Sequence, residues 1–232
     1  MKKIIILISI LSLFMITGCG KKEVVKVNTD AIKFKEEYES INNQTNKSGK
    51  VIRSVAIKDT NPFIYKTADD IVTMIQNKES FIVYFGFASC PWCRSMVANL
   101  IEAADNTNTK VIYYVDVLNI RDTLTLDENN KIITSKEGTT GYMKLLELIG
   151  NVLSKYTIQD SEGNVVDTKE KRIYAPNVVV IKEGKAIYLT EGVSSLLTDP
   201  YSVLTEDMLK ESYDMIEVAL KKLQSNVCTD KC

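Results

Sequence analysis

A continuous apolar run that leads into two closely spaced cysteines constrains the fold more than any other feature of the sequence. Residues 81–87 carry almost only apolar, β-branched and aromatic side chains, which predicts a buried central strand. The tetrapeptide Cys90-Pro91-Trp92-Cys93 follows, and residues 91 to about 104 have the pattern of a helix. Proline suits the first turn of a helix because its missing N–H is not needed there. The sequence therefore predicts a strand, a short turn and a helix that opens at the cysteine pair.

The remaining apolar stretches predict an α/β protein with a central mixed sheet flanked by helices. Residues 111–117 predict a second buried strand, and the order strand, helix, strand predicts a parallel pair with a right-handed crossover. Residues 172–181 predict a third core strand, with a hairpin turn at 182–185 and an antiparallel return at 186–189. Further predicted elements are helices at 31–41, 67–77 and 205–224 and a weaker strand at 51–57.

Residues 119–170 differ from the rest of the chain. They are polar and rich in loop-forming residues around one clear helix, predicted at 141–156. We interpret them as a helical insertion ahead of the third core strand, within one domain that spans residues 31–227.

The position of the cysteine pair has a chemical consequence. At the start of a helix, unpaired N–H groups and the positive end of the helix dipole favour a thiolate on Cys90. The thiolate is the species that attacks a disulfide, and Cys93, one turn further, is placed to resolve the mixed disulfide. Cys90 and Cys93 are therefore the candidate catalytic residues. Pro91 and Trp92 are candidate substrate contacts, because the indole offers a broad apolar surface beside the sulfur.

Two other interpretations of this pair stay open on the residues alone. A C-x-x-C pair is also half of a zinc site, and Cys228 with Cys232 would formally complete a four-cysteine set. The pair could equally be a structural disulfide. We expect no metal and no cofactor, because the chain has no histidine and its second thiol pair lies at the far C-terminus.

Together these motifs resemble the thioredoxin superfamily over roughly residues 63–118 and 172–225. The resemblance implies a thioredoxin-like fold in which Ala175-Pro176 has a cis peptide bond that faces the cysteine pair. Ala175 would then offer backbone contacts to substrate. Thioredoxin has a buried aspartate six residues before its first cysteine, where this chain has Tyr84, and Asp116 is expected only to end a strand. A narrower similarity is to thioredoxin-like lipoproteins of Gram-positive bacteria, including bacteriocin-transport-accessory types.

The N-terminus predicts export. Two lysines and a short apolar run precede Ile16-Thr17-Gly18-Cys19, and the run is too short for a comfortable membrane span. The tetrapeptide resembles the bacterial lipoprotein cleavage box, which implies a signal peptide at 1–18, lipidation of Cys19 and a tether at 19–30. An ordinary signal peptide or an N-terminal anchor is the alternative. Lipidation also explains the odd count of five cysteines and places the domain on the outer face of the cell membrane, where disulfides persist.

Charge and composition exclude several classes of function. Lys plus Arg is 29 and Asp plus Glu is 30, without a concentrated basic face, so we expect no nucleic-acid partner. The absence of histidine excludes a Ser-His-Asp triad and a Cys-His nucleophile pair. The predicted function is an extracytoplasmic thiol–disulfide oxidoreductase that acts on protein thiols and disulfides and exchanges electrons with a membrane redox partner. The alternative is an accessory or binding lipoprotein that assists export of a peptide or protein.

The second thiol pair, Cys228 and Cys232, follows the last predicted helix. It is a candidate second disulfide, either idle in the tail or able to exchange with Cys90 and Cys93 as a relay.

Replacement of the predicted lipidation site tests the anchor. We expect Cys19→Ala to release the protein from the membrane or to leave an uncleaved precursor, because no sulfur is left to carry the lipid. Membrane fractionation and mass measurement of the N-terminus would detect either result. An unchanged mature lipoprotein would contradict the assignment of Cys19.

Overall fold

A five-stranded mixed sheet forms the centre of the protein in the computed structural model, which describes residues 28–224. The elements in chain order are α1 (Thr29–Glu39), β1 (Phe63–Tyr65), α2 (Ala68–Gln76), β2 (Phe81–Gly86), α3 (Pro91–Asn106), β3 (Ile112–Asp116), β4 (Thr123–Leu126), β5 (Ile132–Lys136), α4 (Thr140–Ile149), β6 (Lys155–Gln159), β7 (Val165–Lys171), β8 (Asn177–Lys182), β9 (Lys185–Thr190) and α5 (Glu206–Gln224). The sheet order is β1-β3-β2-β8-β9. β1, β3 and β2 are parallel, whereas β8 and β9 are antiparallel to their neighbours. The predicted α/β class and central mixed sheet are confirmed.

Both faces of β2 are buried, which explains its unbroken apolar sequence. Ile82 and Tyr84 point into a core shared with α1, α3 and α5. Phe81, Val83 and Phe85 point into a second core shared with α2 and α4. Because successive side chains of a strand point to opposite faces, a strand covered by helices on both sides must be apolar at every position. The sheet is therefore the middle of three layers.

Residues 51–57 were predicted as a strand, and this prediction is wrong. Only Val51 makes an isolated bridge, to Thr45. Ile52 makes backbone hydrogen bonds to residues 43 and 44, but further along the segment side chains take the place of a neighbouring strand. The Asn42 amide bonds both the N–H and the C=O of Val55, and Glu39 accepts from the N–H of Ile57. Val55 and Ile57 are buried against the helices, so the alternating pattern reports burial without a neighbouring strand. The edge strand is β1, which the sequence analysis did not predict.

The insertion at 119–170 contains the predicted helix and also two β-hairpins that were not predicted. β4 pairs with β5, and β6 pairs with β7. The helix is shorter than expected, since α4 ends at Ile149 and part of the predicted range belongs to β6. The hairpin strands are short and largely exposed: β5 and β7 show no apolar alternation, and the alternation in β4 and β6 extends over only four and five residues. The third core strand likewise begins only at Asn177, because residues 172–176 form an irregular approach to it.

Several predicted segments fall partly or wholly outside the described residues. The signal peptide at 1–18 and the tail at 228–232 lie outside them, and so does the tether up to residue 27. Its last residues are described: Asn28 caps α1, which begins at Thr29. Within residues 28–224, no helix has both the length and the apolarity needed to cross a membrane.

A buried ion pair fastens the insertion to the segment that leads into β8. The Arg172 guanidinium bonds both carboxylate oxygens of Asp122 at 2.9–3.1 Å. The two side chains are only 10% and 5% exposed. Removing one member of such a pair leaves a buried charge without compensation, which is strongly destabilising.

We expect Asp122→Ala to lower the free energy of unfolding by about 3 kcal/mol, since Arg172 would keep its charge without its main partner. Urea denaturation of the reduced chain measures this change. The matched control is Asp214→Ala, which removes an exposed i,i+4 ion pair with Lys210 and should change stability little. Equal effects of the two variants would contradict a structural role for the buried pair.

Candidate active site

Cys90 occupies the N-cap of α3, at the point where the chain leaves β2. Its backbone is extended (φ −71°, ψ 118°), and its sulfur accepts a hydrogen bond from the N–H of Cys93 at 3.2 Å. Pro91 is the first helical residue, as predicted. A sulfur in place of the usual hydroxyl or carboxylate cap lies at the positive end of the helix dipole, where negative charge is stabilised.

The two cysteines are thiols in different electrostatic environments. Both are buried, and Cys93 is fully enclosed in the core beneath α3. A hydrogen bond from the Cys93 thiol lowers the pKa of Cys90, and the N–H groups of Cys93 and Trp92 and the charge of Arg121 lower it further, against the opposing effect of burial. Burial raises the pKa of Cys93 well above its ordinary value, and the nearby Cys90 sulfur adds to this effect. Cys90 is therefore the thiol of the pair that loses its proton more readily, and Cys93 is the one that keeps it.

The Ala175–Pro176 peptide bond is cis, as the resemblance implied. The register of the sheet brings this bond to the cysteines, because β8 runs antiparallel to β2 and Asn177 pairs with Phe85 at the end of β2. The Cys90 thiol donates a hydrogen bond to the carbonyl of Ala175 at 3.2 Å. Residues 85 positions apart in the sequence thus share one site.

An open groove of about 460 Å³ runs beside the cysteine pair. Trp92 from α3 and the Ala175-Pro176 segment form part of its wall, and both had been predicted as substrate contacts. The loop between β9 and α5 supplies most of the remaining wall, which sequence analysis missed because the loop has no motif. The lining residues are Trp92, Tyr174, Ala175, Pro176, Glu191, Val193, Ser194, Ser195 and Leu197.

The chain matches no protein-family model and no curated protein.

The assignment of a site therefore depends on geometry, which also identifies residues without a sequence motif. Arg121, at the start of the insertion, lies over the Phe87 ring at 5.2 Å and lowers the pKa of Cys90 by its charge. Tyr84 is fully buried below the cysteines, and its hydroxyl is 3.0 Å from that of Tyr38. Asp116 accepts a hydrogen bond from the N–H of Leu118 and so closes the turn after β3, in agreement with the strand-end role expected for it.

The remaining cysteines, Cys19, Cys228 and Cys232, lie outside the described residues. Residues 28–224 contain no group of three or more Cys, Asp or Glu side chains arranged to hold a metal ion. The zinc interpretation of the sequence requires Cys228 and Cys232, and both lie outside the described residues.

The end of α5 sets a limit on the relay hypothesis. The Gln224 amide donates to the carbonyl of Thr107, just past the C-terminus of α3, whereas Cys90 caps the N-terminus. The 16 residues of α3 span about 24 Å. The last described residue of α5 therefore lies at the opposite end of α3 from Cys90, and the relay itself, which needs Cys228 and Cys232, lies outside the described residues.

The asymmetry of the two thiols can be tested by alkylation. In the reduced chain, the rate at which Cys90 reacts with iodoacetamide should rise with pH. We expect the midpoint of that rise below about pH 8.5, which corresponds to the ordinary pKa of a free cysteine. Cys93 should stay unmodified over the same range because it is buried and its pKa is raised. Mass analysis of the cysteine peptides after timed quenching distinguishes the sites, and urea-unfolded protein, in which both thiols should react alike, is the control. Modification of Cys93 before Cys90 would contradict the assignment.

Proposed function

We propose that the chain is a thiol–disulfide oxidoreductase with a thioredoxin-like fold, in which Cys90 is the nucleophile and Cys93 the resolving thiol. The observation that carries the proposal is the meeting of three features at one sulfur. Cys90 caps a helix N-terminus, accepts the N–H of Cys93, and lies 3.2 Å from the carbonyl of a cis-proline segment. The sheet order and the layers of helices on both faces support the fold assignment.

The geometry fits a two-step exchange. In the reducing direction, the Cys90 thiolate attacks a substrate disulfide, a Cys90–substrate disulfide forms, and one substrate thiolate leaves. The Cys93 sulfur then attacks Cys90, the Cys90–Cys93 disulfide forms, and the second substrate sulfur leaves as a thiol with the proton from Cys93. Two electrons pass to the substrate. The reverse sequence oxidises a substrate dithiol.

The groove supports a polypeptide substrate. Its wall combines the apolar surfaces of Trp92, Val193 and Leu197 with the backbone of Ala175, which lies next to the reactive sulfur. An extended segment that carries the target cysteine could pair with that backbone and rest on the indole. We propose protein thiols and disulfides as substrates, on the outer face of the cell membrane, with a membrane redox partner to renew the enzyme. Lipidation of Cys19 is part of the same proposal.

A binding lipoprotein is the second candidate. Apolar side chains are exposed on both hairpins of the insertion, with Ile133 42% and Val165 69% accessible. Such side chains would suit contact with an exported peptide or a transporter, and the cysteines would then only stabilise the fold.

The reduction potential of the Cys90–Cys93 pair in the detergent-solubilised full chain tests the proposal. We expect the pair to equilibrate reversibly with glutathione. Alkylation followed by mass analysis measures the reduced fraction. A value near about −120 mV would indicate a disulfide donor, and one near about −270 mV a reductase. Cys93→Ser should trap a substrate on Cys90 as a mixed disulfide, and Cys90→Ser is the matched control that should trap none. A pair that is reduced only when the domain unfolds would contradict the proposal and favour the binding lipoprotein.

A further inference from the structure

A series of buried groups continues from the cysteine pair into the core shared by α1, α3 and α5. Cys93, Tyr84 and Tyr38 are each fully inaccessible to solvent. Tyr84 belongs to β2 and Tyr38 to α1, and their hydroxyl oxygens are 3.0 Å apart. Buried hydroxyls need hydrogen-bond partners, and these two satisfy each other. What remains to be explained is why the pair lies beneath the thiol of Cys93.

The strand directs the Tyr84 hydroxyl towards the cysteines. Gly86 follows Tyr84 by two positions and therefore lies on the same face of β2. A Cβ at residue 86 would come within 2.5 Å of the Tyr84 hydroxyl oxygen. The ring thus lies along the strand towards its C-terminal end, where Cys90 begins α3, and it can do so only because residue 86 has no side chain.

Both tyrosines act as donors. Burial raises the pKa of Tyr38 and of Tyr84 well above the ordinary value, so both hydroxyls keep their protons over the range in which cysteines titrate. Burial raises the pKa of Cys93, and the Tyr84 hydroxyl is among the groups that lower it, which is the effect of a donor on a thiolate. The bond between the tyrosines lowers the pKa of Tyr84 and raises that of Tyr38. The two hydroxyls therefore form one protonated pair, in which either oxygen can donate, and the Tyr84 member is the one whose hydroxyl affects the Cys93 sulfur.

We propose that Tyr84 is a catalytic residue that donates a hydrogen bond to the Cys93 sulfur as it becomes the attacking thiolate, and that Tyr38 is its positioning residue. This role rests on the proposed function and concerns the second step of exchange. Cys93 attacks the Cys90–substrate disulfide, the Cys90–Cys93 bond forms, and the substrate sulfur leaves with the Cys93 proton. Tyr84 neither accepts nor stores that proton. Its hydroxyl stabilises the negative charge on a sulfur that burial otherwise keeps neutral.

A neighbouring tyrosine provides a matched control. Tyr114 of β3 stacks on Tyr84 with ring centres 5.5 Å apart and is equally buried. Its hydroxyl has no hydrogen-bond partner among residues 28–224. Removal of this oxygen should therefore leave the cysteine chemistry unchanged, although the ring belongs to the same cluster.

The test measures how fast Cys93 resolves a mixed disulfide. The reduced full chain is mixed with oxidised glutathione, and rapid acid quenching with mass analysis follows first the glutathione adduct on Cys90 and then the Cys90–Cys93 disulfide. We expect Tyr84→Phe to slow the second step on the order of tenfold at pH 7 and to move its pH profile upwards, because one pKa unit corresponds to a tenfold change in thiolate. Formation of the adduct should keep the wild-type rate.

The other variants distinguish this role from a structural one. Tyr38→Phe should slow the second step less, Tyr114→Phe should match wild type, and the double variant Tyr38→Phe/Tyr84→Phe should be no slower than Tyr84→Phe. The double variant carries the test if Tyr84→Phe alone fails to fold, since it removes both members of the hydroxyl pair and so leaves neither one without its partner. If Tyr84→Phe keeps the wild-type rate and pH profile, the role of Tyr84 is overturned, whereas the proposed function stands. A wild-type chain that forms no adduct on Cys90 would overturn the proposed function, and this role with it.

Discussion

The buried guanidinium of Arg94, the residue after the resolving cysteine, holds together the segments that surround the site. It donates to the carbonyls of Arg53, Tyr38 and Ala88 and to the side chain of Asn42. All four acceptors are neutral. The Tyr38 carbonyl lies in the last turn of α1, where the helix dipole is negative, so the end of a helix offsets part of the cost of a buried cation. One side chain of α3 thereby fixes α1, the segment before β1 and the turn that precedes Cys90.

The difference between the two thiols follows from this packing. A single helix gives the sulfurs opposite environments, because its first N–H groups point at Cys90 while its body carries Cys93 into the core. Arg94 holds α1 in place, and α1 in turn supplies the Tyr38 hydroxyl that reaches Tyr84. By its resemblance to thioredoxin, the chain has Tyr84 where an aspartate is expected, and burial keeps the Tyr84 hydroxyl protonated by raising its pKa. The same enclosure that keeps Cys93 protonated also makes a well-placed hydrogen bond to its sulfur effective.

Sequence reasoning succeeded where burial imposes a pattern and failed where backbone groups find unusual partners. The strands at 81–87 and 111–117 were predictable because helices cover both faces of the sheet there, which demands apolar side chains throughout. A weak alternation of apolar and polar residues at 51–57 gave a false strand, since the Asn42 and Glu39 side chains bond the backbone of Val55 and Ile57 in place of a neighbouring strand. The hairpins of the insertion escaped prediction because their strands are short and largely exposed, so any apolar alternation spans only a few residues.

The sequence by itself determined the α/β class, the cysteine pair at the start of a helix and, through resemblance, the proline that faces it. These features are local, because a strand, a cap and a proline each depend on a few consecutive residues. Only the tertiary structure decided which distant groups surround the sulfurs: the Ala175 carbonyl, Arg121, the Tyr38 hydroxyl and the loop that walls the groove. Those groups meet through sheet register and helix packing, and both are set by contacts between residues far apart in the chain.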